Sequence, residues 1–298
     1  MTHEHTTPAT QTNGLIGLGD LGLAVAERLI KAGHPVAGFR RGNLDAFASM
    51  GGLPQVSAAA TAACAHSLIL LLPTDEALAE VMQAVAPALR RDQIVVCLGT
   101  HRAPAKAAAA QVAANAGATL LDGEVSGTPV MMKIGKASVM LAGEADAATQ
   151  ILPMVNAFAS ATSYVGAFGN ATKMKLVTNY LVGVHTFAAA EALRMADSLG
   201  LELQSTVETL KTSAGSSTML AIRGPMMAAR QFAPSHMPAF IRYFDLLRDA
   251  LGGIAQGERP LLDLTESVFR HAVAQGHGDR DIAGIFETLQ PGAPYGTP

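Results

Sequence analysis

The 298-residue chain is 49% hydrophobic, only 15% charged and carries a formal net charge of -3. This balance allows two buried cores and lacks the broad basic footprint that nucleic acid requires, so the expected partner is a small molecule. Its two cysteines, Cys64 and Cys97, cannot form a disulfide framework, which points to a reducing compartment and hence the cytoplasm.

Residues 1–13 are polar and rich in Thr and His, without the apolar run of a secretory signal, and are expected to form a disordered tail. From Gly14 onward, short apolar runs at 15–18, 35–39, 68–72 and 94–98 each precede a helical pattern. That is the βαβ rhythm of a mostly parallel sheet. The most concentrated apolar run, 67–72, is far too short to cross a bilayer, so a soluble protein is expected. YVGAFG at 164–169 places two glycines ahead of a long helical pattern that Asn170 is positioned to cap. Beyond it Ala, Leu and Met recur at helical spacing over 170–199, 239–255 and 261–274, and the strand signal disappears. The expected organisation is an α/β domain over 14–168 followed by an all-helical domain over 169–298.

GLIGLGDLGLAVAERLIKAGH sets Gly17, Gly19 and Gly22 in GxGxxG spacing, after an apolar strand and at the start of an amphipathic helix. The glycines let the backbone turn tightly and approach a pyrophosphate, whose charge then meets the unpaired N–H groups and positive end of the helix. In this strand–turn–helix–strand context the motif points to a Rossmann-type domain and a bound dinucleotide. About 20 residues further on, where an NAD site usually carries an acid for the ribose hydroxyls, stand Phe39, Arg40 and Arg41. A carboxylate there would repel a 2′-phosphate and guanidinium groups would pair with it, so NADP is favoured over NAD. Asn43 is a further candidate phosphate contact. The competing reading is that both arginines form a solvated strand end.

GLIGLGDLG, ILLLPTDEAL, LLDGEVSGTPVMMKIGKASVMLAG, GNATKMKLVTN and GHGDRD occur in this order across nearly the whole chain. Together they resemble the β-hydroxyacid dehydrogenases, the family of 3-hydroxyisobutyrate dehydrogenase and tartronate semialdehyde reductase. The resemblance implies an N-terminal Rossmann-type domain, a helical C-terminal domain, and a small carboxylate substrate, a β-hydroxy acid or its semialdehyde, bound in the cleft between them. It implies that Ser126, Gly127 and Thr128 hold the substrate carboxylate and that Lys175 and Asn179 meet the reacting oxygen. It also assigns Leu18, Asp20, Leu21, Leu72, Pro73 and Thr100 to the cofactor. Arg248 and Asp249 stand where the family has a Lys-Asp pair near the cleft, which makes Arg248 a candidate for both ligands; an ordinary surface ion pair is the alternative. Family members are commonly dimers or tetramers, so a homodimer or homotetramer is expected.

Hydride transfer to a carbonyl leaves negative charge on oxygen, so an acid must deliver a proton as that charge develops. Lys175 is the candidate, provided burial and nearby positive charge lower its ordinary pKa of about 10.4. Positions 175 and 179 lie one helical turn apart and project from one face. From spacing alone Lys175 is also compatible with a solvated helix lysine; the resemblance decides for the catalytic reading. Lys173 projects elsewhere and is expected to be replaceable.

Several positions depart from the family pattern: Cys97-Leu98-Gly99-Thr100 replaces Asp-Met-Ser-Thr, Glu124 replaces the Pro before Val-Ser-Gly, and Thr178 replaces the first of two asparagines. Cys97 is either an exposed thiol near the nicotinamide or, the commoner case, a buried strand cysteine. Neither HExxH, a Cys-His cluster nor GxSxG occurs, so neither a metal centre nor acyl transfer is expected. The rivals are an NADPH-dependent imine reductase, a class that generally lacks the lysine matched by Lys175, and a non-catalytic dinucleotide-binding protein, against which intact Lys175 and Asn179 argue.

Overall fold

The structure, a computed structural model, describes residues 11–252 and 259–289. The tail expected at 1–13 falls outside them as far as residue 10, as does the end of the helical pattern expected at 239–255. The chain divides into two units, Met1–Lys175 and Leu176–Pro298.

Among its described residues the first unit has eight strands: β1 (Asn13–Ile16), β2 (Val36–Phe39), β3 (Leu53–Pro54), β4 (Ser67–Leu70), β5 (Ile94–Cys97), β6 (Thr119–Ser126), β7 (Ser138–Ala142) and β8 (Thr162–Tyr164). They form one sheet in the order β3-β2-β1-β4-β5-β6-β7-β8, in which only the β6–β7 pair is antiparallel. The chain moves outward from β1 to β3 and then returns to β4 on the other side of β1. That reversal opens a crevice at the carboxyl ends of β1 and β4, where doubly wound sheets bind ligands.

Seven helices of this unit cover the sheet: α1 (Asp20–Lys31), α2 (Asp45–Ser49), α3 (Ala58–Cys64), α4 (Asp75–Val85), α5 (Ala103–Asn115), α6 (Pro129–Lys133) and α7 (Ala145–Phe158). Strand alternation sorts side chains between two cores. Leu15, Ile69, Val96, Leu121 and Val125 pack with α1 and α7, whereas Ile16, Leu68, Leu70, Val95, Cys97 and Leu120 pack with α3, α4 and α5. On β6 the same alternation turns Asp122, Glu124 and Ser126 to the side of Leu120.

Helix α8 (Asn170–Ser198) contains the division between the units. Asn170 is its first residue rather than its cap, and the Asn170 side chain donates backwards to the Val165 carbonyl at 3.0 Å. The first turn is satisfied instead by Asp122, whose Oδ2 accepts from the Thr172 N–H at 3.0 Å. This tie keeps the start of α8 with the sheet, so the division falls a few residues beyond the boundary expected from sequence.

The second unit continues α8 and adds α9 (Leu203–Lys211), α10 (Thr218–Ala229), α11 (Met237–Leu251) and α12 (Pro260–Ala272). Its core centres on Phe240, Phe244 and Phe269, with ring centroids 5.3–5.8 Å apart. Such aromatic pairs add about 0.5–1.5 kcal/mol each beyond their burial. Strands are absent from this unit among the described residues.

Candidate active site at the carboxyl edge of the sheet

The glycine loop shows what each glycine is for. Gly17 has φ +103° and a Cβ there would lie 2.1 Å from the Leu71 carbonyl oxygen; a Cβ on Gly22 would lie 2.0 Å from that of Gly17. Both are required by the packing of the protein itself. Gly19 has an ordinary φ of -76°, and a Cβ on it would meet no atom within 4 Å. Its lack of a side chain therefore serves open space at the start of α1, where no side chain caps the helix. The loop fits a pyrophosphate.

Arg40, just after β2, donates from Nη1 to the Leu18 carbonyl at 2.8 Å, which joins the second loop to the first. Arg41 is exposed and lies 3.6 Å from Glu80 of α4. The Asn43 side chain is held locally, accepting from the Asp45 N–H and donating to the Asp45 carboxylate at 2.7 Å. The loops after β4 and β5 also adjoin: a Cβ on Gly99 would lie 3.1 Å from the Leu72 carbonyl oxygen. Leu72 is half-buried there and Pro73 is exposed.

Behind Thr100 lies a polar cluster. The Thr100 hydroxyl donates to Glu124 Oε2 at 2.6 Å. Glu124 Oε1 accepts from Lys106 Nζ and from the Thr172 hydroxyl, each at 3.1 Å. Lys106, on α5, also donates to Asp122 and to Thr172 Oγ1, the latter at 2.8 Å. Lys106, Asp122 and Glu124 are at most 1% exposed. Burial works against the Lys106 charge, but Glu124 above all, with Asp122, outweighs it and holds its pKa above the usual lysine range.

Lys175 lies one turn beyond Thr172 on α8, half-buried, and donates from Nζ to the Val125 carbonyl at 2.9 Å. Burial lowers its pKa below the usual lysine value, and the Glu124 charge opposes that shift. Lys173 is exposed. Ser126 ends β6, and Gly127 follows with φ +143°, where a Cβ would lie 2.8 Å from that of Ala137. Thr128 is half spoken for, since its hydroxyl accepts from the Met131 N–H to cap α6. The structure thus gathers the glycine loop, Arg40, Leu72, Thr100, Ser126 and Lys175 around the carboxyl ends of β1, β2, β4, β5 and β6.

Asn179, one turn after Lys175 on α8, is 6% exposed, and its Nδ2 finds no hydrogen-bond partner among the described residues. Arg248, in the second unit, forms an ion-pair network: Nε donates to Glu266 at 2.7 Å and Nη2 to Asp263 at 2.6 Å. Cys97 is the buried strand cysteine, its thiol pushed up to about 11 by burial. Among the described residues no group of three or more potential metal ligands comes together.

Two groups escape a reading of the sequence. One is Lys106, a lone cation in an alanine-rich helix. The other is His101, 1% exposed, whose Nδ1 lies 3.0 Å from Asp75 and whose Nε2 is buried without a partner among the described residues. Burial, reinforced by Lys106, lowers the His101 pKa and keeps the ring neutral.

Residues 12–166 match the model described as the NAD binding domain of 6-phosphogluconate dehydrogenase. Residues 169–289 match the NAD-binding model of NADP-dependent 3-hydroxyisobutyrate dehydrogenase. The chain belongs to the β-hydroxyacid dehydrogenase family.

As a member of that family it is an NAD(P)-dependent oxidoreductase. It is 28% identical to L-threonate dehydrogenase of Cupriavidus necator over 92% of this chain and 94% of that protein. The 3-hydroxyisobutyrate dehydrogenase of Mycobacterium tuberculosis, solved with L-serine, shares the fold at TM-score 0.85 and 24% identity, covering 95% of this chain and all 100% of that one. An imine reductase from Myxococcus stipitatus shares it more loosely, at TM-score 0.65 and 20% identity over 95% and 100% of the two chains. Among the described residues of this β-hydroxyacid dehydrogenase no helix is long and apolar enough to cross a membrane.

Proposed function

We propose that the protein uses NADP(H) in preference to NAD(H) to interconvert a small β-hydroxy acid and its semialdehyde, with Lys175 as the proton donor and acceptor. The observation that carries this reading is the half-buried Lys175 ammonium, anchored to the Val125 carbonyl at the end of β6 with its pKa drawn down by burial. A bound nicotinamide would supply or accept the hydride. In reduction, the Lys175 ammonium gives its proton to the oxygen that gains charge; in oxidation, the neutral amine takes the hydroxyl proton.

Asn179, whose Nδ2 has no partner among the described residues, would hydrogen-bond the same oxygen. Ser126 and the backbone of Gly127 and Thr128 would hold the carboxylate, where hydrogen bonds to a charged group are stronger than neutral ones. Arg40, Arg41 and Asn43 would receive the 2′-phosphate, and Leu18, Gly19, Asp20 and Leu21 the pyrophosphate. Leu72, Pro73 and Thr100 would flank the remainder of the cofactor. Arg248, already paired with two carboxylates of its own unit, has less positive charge to offer a ligand. We place the protein in the cytoplasm as a homodimer or homotetramer.

The test is a nicotinamide absorbance assay with NADPH and NADH against glyoxylate, short-chain semialdehydes and cyclic imines. Reduction of an acid-bearing aldehyde, faster with NADPH, is expected. Turnover of imines alone, or of no aldehyde, contradicts the reading.

A further inference from the structure

Glu124 is a buried carboxylate that takes no part in the proton transfer itself, yet every oxygen it offers is committed. Oε2 accepts from Thr100 at 2.6 Å, and Oε1 accepts from Lys106 and Thr172 at 3.1 Å. Its partners are fixed in turn, because Lys106 and Thr172 both bond Asp122. Well-packed apolar side chains commonly replace such buried ion clusters with no loss of stability. Glu124 pairs with the buried Lys106, and it also sits between the Thr100 loop and the strand end that anchors Lys175.

We propose that Glu124 is a positioning residue: its charge acts on the Lys175 ammonium while its second oxygen fixes the Thr100 hydroxyl at the carboxyl end of β5. The inference rests on the proposed role of Lys175. Among the described residues of this unit, the titratable groups that act on Glu124 and its partners include Asp122 on β6, Lys106 on α5, Cys97 at the end of β5, and His101 in the loop that follows, itself paired with Asp75. Cys97 and His101 are both held neutral, chiefly by burial. Lys106 is shared between two carboxylates, Asp122 and Glu124, so its field offsets only part of theirs on Lys175. Glu124, next in sequence to the Val125 whose carbonyl anchors Lys175, carries a charge that opposes the effect of burial on Lys175.

The experiment compares wild type, Glu124→Gln and Glu124→Asp by two readouts. One is the pH profile of kcat/KM for reduction with NADPH. The other is competitive acetylation of Lys175 with acetic anhydride, followed by peptide mass spectrometry across the same pH range. Glu124→Gln is expected to move the Lys175 labelling midpoint and the alkaline limb of the profile down by about 1 pH unit, while Glu124→Asp leaves both near wild type. Should Glu124→Gln not fold, Glu124→Asn set against Glu124→Asp makes the same charge comparison. An unmoved labelling midpoint in a folded neutral variant overturns the inference. A midpoint that moves while the rate profile stays put supports the Glu124 role and removes Lys175 from the chemistry instead.

Discussion

Asp122 accepts two hydrogen bonds from Thr172, one from the backbone N–H at 3.0 Å and one from the hydroxyl at 2.8 Å. A carboxylate in the middle of β6 thereby caps α8 three residues before Lys175. The position of the proposed proton carrier is set from the sheet rather than by the helix alone.

Asp122→Ala is therefore expected to be costly. It removes the cap and leaves the buried Lys106 ammonium with one carboxylate instead of two, a loss of about 3–5 kcal/mol. Urea unfolding measures it. Asp122→Asn keeps an acceptor for the Thr172 N–H and is expected to lose less.

The direction of the pH dependence follows from Lys175. Burial draws its pKa below the usual lysine value. Reduction needs the protonated form, so kcat/KM for reduction is expected to fall as pH rises through that lowered pKa. Oxidation needs the neutral amine and is expected to rise through the same value. A paired set of pH–rate profiles checks both signs.

The glycines separate fold from ligand. Gly17→Ala places a Cβ 2.1 Å from the Leu71 carbonyl oxygen at φ +103° and is expected to destabilise the domain by about 3 kcal/mol or more. Gly19→Ala meets nothing in the protein. It is expected to melt like wild type yet bind NADPH about tenfold more weakly, a loss of about 1.4 kcal/mol. Thermal melts and cofactor titration by fluorescence make the comparison.

What was legible in the sequence was what local spacing encodes. The apolar runs marked the strands, the glycine spacing marked the first turn, and the pair 175/179 marked one face of α8. The polar cluster was not legible, because it depends on where β6 lies against α5 and α8. Lys106, between alanines, reads as a solvated lysine until the sheet places two carboxylates beside it. Alternation did leave a trace in LLDGEVSG: Asp122, Glu124 and Ser126 are two residues apart and must share a strand face. Asn170 looked like a helix cap because its residue type favours that role, yet Asp122, distant in sequence, took it. Arg248 could be placed on a helix by periodicity, but its two acidic partners belong to a different helix, α12.

The most direct measurement is the turnover of Lys175→Ala beside its NADPH affinity. A general acid contributes about 10²–10⁴ in rate, so turnover is expected to fall at least that far while the Kd for NADPH stays close to wild type. Lys173→Ala, the exposed neighbour, is expected to behave as wild type in both. A Lys175→Ala enzyme that reduces its substrate at wild-type rate would contradict the account.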